Sequence, residues 1–170
     1  MKNLLKHTQN LKHLQRTGWK RKNISNPETV ASHSWNMAMI ALYLEKEFSR
    51  DYDIQKVINL CLVHDLGESI IGDITPDEKS YQNKQDKEIE AIKTISANSS
   101  FDKLYDLFIE YEENKTKEAN LAHDLDQIDM YAQSLYYENE DSLQNLEEFR
   151  NSALSKIKTQ CGLSLINKLK

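Results

Sequence analysis

The sequence contains few of the residues that interrupt helices. Its 170 residues include four glycines and two prolines, and both prolines lie in the first half of the chain. Because glycine and proline mark loops and end helices, their scarcity predicts long helices with short connections. No segment shows the sustained alternation of apolar and polar residues that is typical of a half-buried strand. We therefore expect an all-α protein, a single-domain helical bundle of about six to seven helices.

The sequence also lacks a cysteine motif, a long apolar run and an excess of basic residues. Cys61 and Cys161 form no Cys-x-x-Cys motif, and Cys61 continues an apolar stripe, as a core residue would. No stretch approaches the length of a membrane span, and the N-terminus shows no apolar run with a small-residue cleavage site. A net charge of -5 argues against general binding to nucleic acid. These absences predict a cytoplasmic protein whose partners include neither a membrane nor a nucleic acid polymer.

Apolar residues at helical spacing indicate where the helices lie. The predicted helices cover about 2–14, Pro27–Phe48, 53–66, 84–97, 101–113, 116–138 and 142–168. A basic loop is expected at about 15–28 and another loop at about 67–80. Asn26, Asp53 and Thr116 are predicted to cap the helices that follow them.

Ionisable side chains interrupt three of the predicted apolar faces. His33 lies on the first of these faces, His64 and Asp65 lie side by side on the second, and Asp124 and Asp126 lie on the third. An unpaired buried charge costs roughly several kcal/mol, so something must compensate these groups. Two imidazoles and two carboxylates suit a divalent transition metal such as Mn, Fe, Co, Ni or Zn. An ordinary hydrogen-bond network in the core is the alternative.

Two further carboxylates follow the His64-Asp65 pair. Glu68 lies four positions after His64, which brings its side chain to the same helix end. A carboxylate there can hold or deprotonate a water whose pKa a metal has lowered. Asp73 follows Gly72, whose backbone freedom allows the chain to turn back toward the site.

The basic loop carries an arginine and a tryptophan, Arg16 and Trp19. The mild net acidity of the chain does not exclude a local basic pocket for one small phosphorylated ligand. The simpler interpretation makes Arg16 a solvated charge and Trp19 a cover over the core.

The order His33, His64-Asp65, Asp126 resembles the H…HD…D signature of the HD-domain metal-dependent phosphohydrolases. The segments RTGW, NPETVASHSW, LVHDLGESIIGDITP and HDLDQIDM resemble successive motifs of one branch of that superfamily, the 5'-deoxynucleotidase-like proteins. Four motifs in this order are far more specific than the HD dipeptide alone.

The resemblance covers most of the chain. It extends over about residues 11–138. It implies a helical bundle of the HD-domain type, with one domain over residues 1–170 and the C-terminal helix at about 142–168 outside the motif-bearing core.

The resemblance implies a site for one divalent transition metal ion. Its ligands would be His33, His64, Asp65 and Asp126. Helical spacing places Asp124 more squarely on the apolar stripe than Asp126. The family pattern favours Asp126, because its aspartate precedes a polar and then an aliphatic residue, as in LDQI. Asp124 is then a candidate for orienting a ligand histidine.

The resemblance also implies roles for four other residues. Glu68 and Asp73 match acidic residues that act on the attacking water and on the leaving group. Arg16 and Trp19 match positions that contact the substrate phosphate and the sugar or base.

The function implied by the resemblance is metal-dependent hydrolysis of a phosphomonoester, with a deoxynucleoside 5'-monophosphate as the small-molecule substrate. The nearer alternative is a phosphodiesterase or nucleoside polyphosphate hydrolase of the same superfamily. The more distant alternative is a non-catalytic helical module that contains a metal and binds a nucleotide. Similar proteins are homodimers, and the amphipathic C-terminal helix is a candidate for part of such an interface.

Overall fold

The computed structural model describes residues 1–75, 78, 82–141 and 144–169. Over these residues the chain forms ten helices, and the only other pairing is an isolated bridge between Gln15 and Thr29. The helices are α1 (Lys2–Leu11), α2 (Thr17–Arg21), α3 (Val30–Phe48), α4 (Ile54–Val63), α5 (Glu68–Ile71), α6 (Lys84–Ser99), α7 (Lys103–Glu113), α8 (Lys117–Glu140), α9 (Glu147–Lys156) and α10 (Gln160–Leu169). The all-α prediction is confirmed.

Helices α3, α4 and α8 pack against one another and form the centre of the bundle. Helix α7 covers α4 and α8, α6 lies between α1 and α7, and α9 and α10 pack on α8. The core contains fully buried side chains such as Met37, Leu60, Phe108 and Leu125. Each of them stabilises the fold by about 1.5–3 kcal/mol relative to an exposed side chain. Among the described residues, no helix combines the length and apolarity needed to cross a membrane.

Two of the three predicted N-caps are confirmed. The Asp53 side chain accepts a hydrogen bond from the backbone N–H of Lys56, at the start of α4. The Thr116 side chain accepts one from the backbone N–H of Ala119, at the start of α8. Each cap satisfies an N–H group that has no partner within its own helix.

The prediction of Asn26 as a cap is wrong. Helix α3 begins at Val30, and the Thr29 side chain accepts the capping hydrogen bond from the backbone N–H of Ser32. The backbone N–H of Val30 donates to the carbonyl of Leu14. This contact holds the residues before Val30 extended along the segment that follows α1, so helix α3 cannot start earlier.

The expected six to seven helices are too few, because two short helices form where loops were predicted. Helix α2 lies within the expected loop at 15–28, and α5 lies within the expected loop at 67–80. Residues 76, 77 and 79–81 of the second loop lie outside the described residues. Both helices have five residues or fewer, which is too short to show an apolar period in the sequence.

The expected single helix at 142–168 is also wrong. Residues 142 and 143 lie outside the described residues, and the rest divides into α9 and α10 around an extended Ile157. The Asp124 carboxylate accepts hydrogen bonds from the backbone N–H groups of Lys158 and Thr159, at 3.0 and 2.7 Å. A buried side chain of α8 therefore stabilises the break and the start of α10.

Candidate active site

Two buried histidines face each other between α3 and α4. The ring centroids of His33 and His64 are 5.3 Å apart. Nδ1 of His64 donates to the carbonyl oxygen of Cys61 at 2.8 Å, and Nδ1 of His33 lies 2.6 Å from Oδ2 of Asp129. The Nε2 atoms are buried and have no hydrogen bond of normal geometry to any described residue. Because a donating Nδ1 leaves the Nε2 lone pair available, both rings are arranged as metal ligands.

Two carboxylates join the histidines. Oδ1 of Asp126 lies 3.2 Å from Nε2 of His33, and Oδ2 of Asp65 lies 3.0 Å from Nε2 of His64. Ligand atoms of His33, His64 and Asp126 lie within 4.8 Å of one another. The structure thus brings together all four side chains that were predicted as ligands. Two nitrogens and two oxygens, supplied by α3, by α8 and by the turn after α4, fit a divalent transition metal.

Electrostatics in this cluster favours ionised carboxylates beside positive charge. Burial by itself would raise the pKa of Asp65 and Asp126, but the imidazoles and the Arg16 guanidinium hold both values well below the usual range. Burial and Arg16 lower the pKa of His33, but Asp126 and Asp129 outweigh them and raise it to about 10. These carboxylates interact strongly with the cationic Arg16 and His33. Such a group of carboxylates is suited to bind a divalent cation.

The interpretation of Asp124 as the residue that orients a ligand histidine is wrong. Both of its oxygens accept hydrogen bonds from the connection between α9 and α10, as described above. Asp129 makes the orienting contact with His33, and it also accepts a hydrogen bond from the Asn36 side chain. Sequence reasoning missed Asp129, although it lies on α8 three residues after Asp126 and therefore on a neighbouring face.

A cleft of about 710 Å³ opens beside these histidines and carboxylates. Glu68, the first residue of α5, lies in its wall and is 3% exposed. Its Oε1 accepts a hydrogen bond from Nζ of Lys84 at 3.0 Å, whereas its Oε2 is buried and has no partner among the described residues. Burial raises the pKa of Glu68 well above the usual range, with Asp65 acting in the same direction and Lys84 opposing it. A buried carboxylate with one uncommitted oxygen is suited to accept a proton.

Arg16 and Asp73 line the same cleft. The Arg16 guanidinium lies 3.6 Å from the Asp65 carboxylate. The Asp73 carboxylate accepts a hydrogen bond from the backbone N–H of Thr17, and the Thr17 hydroxyl donates to the Asp73 carbonyl at 2.9 Å. Gly72 has a φ of +83°, so the backbone turn expected before Asp73 is confirmed.

Trp19 is 1% exposed and forms part of the cleft wall. Its indole N–H donates to the Glu28 carboxylate at 2.8 Å, so this donor is committed within the protein. The ring packs on Phe149 and Tyr137, with centroid distances of 4.5 and 5.3 Å. Trp19, Tyr137 and Leu146 form a hydrophobic cluster separate from that of the bundle, which we call the roof cluster. The expected contact of Trp19 with a substrate stays a prediction.

The opposite wall of the cleft contains residues that the sequence did not single out. The Tyr111 ring stacks on His123 at a centroid distance of 4.0 Å and lies 5.0 Å from the His64 ring. Lys84 and Glu88 of α6 complete this wall beside Glu68. Their four-residue spacing on one helix was visible in the sequence, but it is also the usual pattern of a solvated surface pair.

Comparison with known proteins assigns the family. The profile of the HD domain matches residues 8–166. Proteins named 5'-deoxynucleotidase HDDC2 are 40% identical in Dictyostelium discoideum, over 75% of this chain and 72% of that protein, and 37% identical in Xenopus laevis, over 87% and 75%. A solved structure of a conserved hypothetical protein from Pyrococcus furiosus matches with a TM-score of 0.83 at 32% identity, covering 99% of this chain and 97% of that one. The resemblance found in the motifs is thereby confirmed, and the chain belongs to the HD-domain family, in its 5'-deoxynucleotidase-like branch.

Proposed function

We propose that this protein releases phosphate from deoxynucleoside 5'-monophosphates in a metal-dependent reaction. The observation that carries the proposal is a pair of buried histidine Nε2 atoms that make no hydrogen bond of normal geometry within the described part of the chain and that lie beside two carboxylates at the base of a cleft. The same cleft contains a guanidinium for the phosphate and two further carboxylates for proton transfer. The relatives named 5'-deoxynucleotidases support the choice of substrate.

The metal site comprises His33, His64, Asp65 and Asp126. These four side chains would hold one divalent ion, and Mn, Co, Fe, Ni and Zn all suit the donor set. When bound, such an ion polarises a phosphoryl oxygen and lowers the pKa of water. Asp129 fixes the orientation of His33, and the Cys61 carbonyl fixes that of His64.

The remaining residues carry the proton transfers and bind the phosphate. Glu68 takes a proton from the attacking water through its uncommitted Oε2, while the water oxygen bonds to phosphorus and the bond from phosphorus to the 5'-oxygen breaks. Asp73 assists delivery of a proton to the departing 5'-oxygen. Arg16 donates hydrogen bonds to the phosphate and stabilises the charge that develops on it. Trp19 contributes the wall against which the sugar or base lies.

Phosphate release from a panel of nucleotides tests the proposal. Metal-stripped protein is resupplied separately with Mn, Co, Mg and Zn and offered dAMP, AMP, a 3'-monophosphate, a nucleoside triphosphate and a phosphodiester. Metal-dependent release from dAMP, with little from the others, is the expected result. Preference for the triphosphate or the diester would favour the other activities of the superfamily. No release with any metal would favour the binding module.

A substitution at Glu68 tests the mechanism. Glu68→Ala should abolish turnover and leave metal bound, because the four metal-binding side chains are unchanged. The matched control is Glu90→Ala, which removes an exposed carboxylate from α6. Unchanged turnover in Glu68→Ala would remove this residue from the mechanism.

We also propose that the protein is a cytoplasmic homodimer. Helix α3 carries an exposed apolar stripe of Trp35, Met39, Leu42 and Tyr43, with exposed fractions of 42–72%. Its spacing resembles the seam of a coiled coil, and a twofold axis would bring the stripe of one copy against that of the other. The C-terminal helix α10 directs its apolar face inward. Light scattering should show that Tyr43→Lys weakens the dimer and that Leu163→Lys, an exposed position on α10, does not.

A further inference from the structure

A buried ion-pair network surrounds the carboxylate that we assign to proton transfer. Nζ of Lys84 lies 3.0 Å from Oε1 of Glu68 and 3.4 Å from Oε1 of Glu88. The side chains of Glu68, Lys84 and Glu88 are 2%, 22% and 8% exposed. One ammonium group therefore lies between two carboxylates in the wall of the cleft, where solvent screens the interaction little.

Local helix energetics do not explain a lysine at this position. Lys84 is the first residue of α6, the end of a helix at which the macrodipole disfavours a cation. A lysine that precedes a glutamate by four residues is also the less favourable order for a pair within one helix. The partner that accounts for Lys84 is therefore Glu68, which belongs to a different helix.

Close packing of α5 on α6 brings the two groups together. A Cβ added to Gly67 would lie 3.4 Å from Cα and from the carbonyl oxygen of Glu88. The backbone that immediately precedes Glu68 thus contacts the first turns of α6, with no side chain between them. This contact places the Glu68 carboxylate within reach of Lys84 and leaves little room for another orientation.

The two oxygens of Glu68 have different surroundings. Oε1 accepts the hydrogen bond from Lys84, whereas Oε2 is buried without a partner among the described residues. We propose that Lys84 is a positioning residue, which holds Glu68 by Oε1 and keeps Oε2 directed to the attacking water, while Glu88 holds Lys84 from the other side. This inference rests on the proposed function and assigns no contact between Lys84 and the substrate.

Steady-state kinetics of Lys84→Met and Lys84→Arg test the inference. With dAMP as substrate, Lys84→Met should lower kcat about 10- to 100-fold, since a misplaced catalytic group loses about this factor. The KM and the bound metal should remain within about twofold of wild type, because neither the phosphate contact nor the metal ligands are changed. Lys84→Arg retains a donor for Oε1 and should keep a kcat clearly above that of Lys84→Met. A purely structural role would not produce this combination of changes.

The matched control is Lys93→Met on the same helix. Nζ of Lys93 lies 2.8 Å from Oε1 of Glu90, and both side chains are at least half exposed. This variant should keep the wild-type kcat. Far-UV circular dichroism and thermal unfolding show whether each variant is folded. If Lys84→Met is unfolded, Lys84→Gln replaces it, since glutamine is shorter and uncharged but polar.

Three results would overturn the inference. The first is a wild-type kcat in a folded Lys84→Met or Lys84→Gln variant. The second is an equal loss of kcat in Lys93→Met. The third is a change in the Lys84 variant that is confined to KM, which would assign Lys84 to phosphate binding. A wild-type protein that releases no phosphate with any metal would instead refute the proposed function, and the inference would fail with it. Activity of the wild-type protein therefore separates the two failures.

Discussion

Replacement of Asp129 by alanine should weaken metal binding without touching any predicted ligand. The side chain is fully buried, with Oδ2 lying 2.6 Å from Nδ1 of His33, and it accepts a second hydrogen bond from Asn36. Alanine leaves the buried Nδ1 of His33 and the half-buried amide of Asn36 without this acceptor. His33 is then free to rotate, or to carry its proton on Nε2, which prevents that nitrogen from binding a metal.

The expected magnitudes follow from these two contacts. Loss of such a partner behind a metal ligand lowers metal affinity about 10- to 100-fold, which corresponds to about 1.4–2.7 kcal/mol. The metal-free protein should also lose stability, because the buried imidazole loses its acceptor at about 1–3 kcal/mol and the half-buried Asn36 amide loses its acceptor at a smaller cost. The free energy of unfolding should therefore fall by about 1–4 kcal/mol.

Asp124→Ala is the matched control for Asp129→Ala. Asp124 lies on the same helix and is 2% exposed, but its two hydrogen bonds support the start of α10. This variant should lose stability in urea unfolding, whereas its affinity for Mn or Co in a chelator competition should stay within about twofold of wild type. Wild-type affinity in Asp129→Ala, or an equal loss of affinity in both variants, would refute the reasoning.

Three further substitutions test stability by urea unfolding. Gly162→Ala should lower the free energy of unfolding by about 1–3 kcal/mol. The added Cβ would collide with the Asp124 carboxylate and lie 2.9 Å from Cγ2 of Ile157. A gain in stability would contradict this packing. Thr116→Ala should cost about 1 kcal/mol through loss of the α8 cap, and an unchanged midpoint would contradict the role of that cap. Burial raises the pKa of Glu88 from 4.5 to about 7, so the native state binds this proton more tightly than the unfolded state and wild-type stability falls as the pH rises through this range. Glu88→Gln does not titrate and should gain on the order of 2 kcal/mol relative to wild type between pH 5 and pH 8; a constant difference would refute the assignment.

Secondary structure was predictable wherever the signal was local. The Asp53 and Thr116 caps and the apolar stripes behind them were sufficient to place the starts of α4 and α8. The start of α3 could not be predicted from local sequence, since both Asn26 and Thr29 are residue types that cap helices. The choice between them depends on pairing of the segment before Val30 with residues 14–16, which lie 12 to 16 residues earlier in the chain.

The candidate site was predictable as far as ionisable groups on apolar faces could reveal it. His33 was found in this way, but the apolar face favoured Asp124, and only the family pattern selected Asp126. The roles of Asp124 and Asp129 were not found. Residues two apart on a helix point about 200° apart, whereas residues three apart differ by about 60°. Helix geometry thus separates Asp124 from Asp126 and groups Asp129 with it. Only the packing of α8 against its neighbours decides which of these faces meets His33.

The cleft lies between two parts of the molecule, the main bundle and the roof cluster, which should differ in their stability to heat. Asp126 belongs to α8 of the main bundle, whereas Trp19 belongs to the roof cluster, which has far fewer buried side chains and against which Phe149 packs. A region with less buried apolar surface opens at a lower free energy than the whole fold. On heating, α2 should therefore loosen while the bundle stays helical, and substrate binding should weaken before the circular dichroism signal changes. The stability of the roof cluster would then set the upper temperature limit of activity. Substitutions confined to the roof cluster would shift that limit.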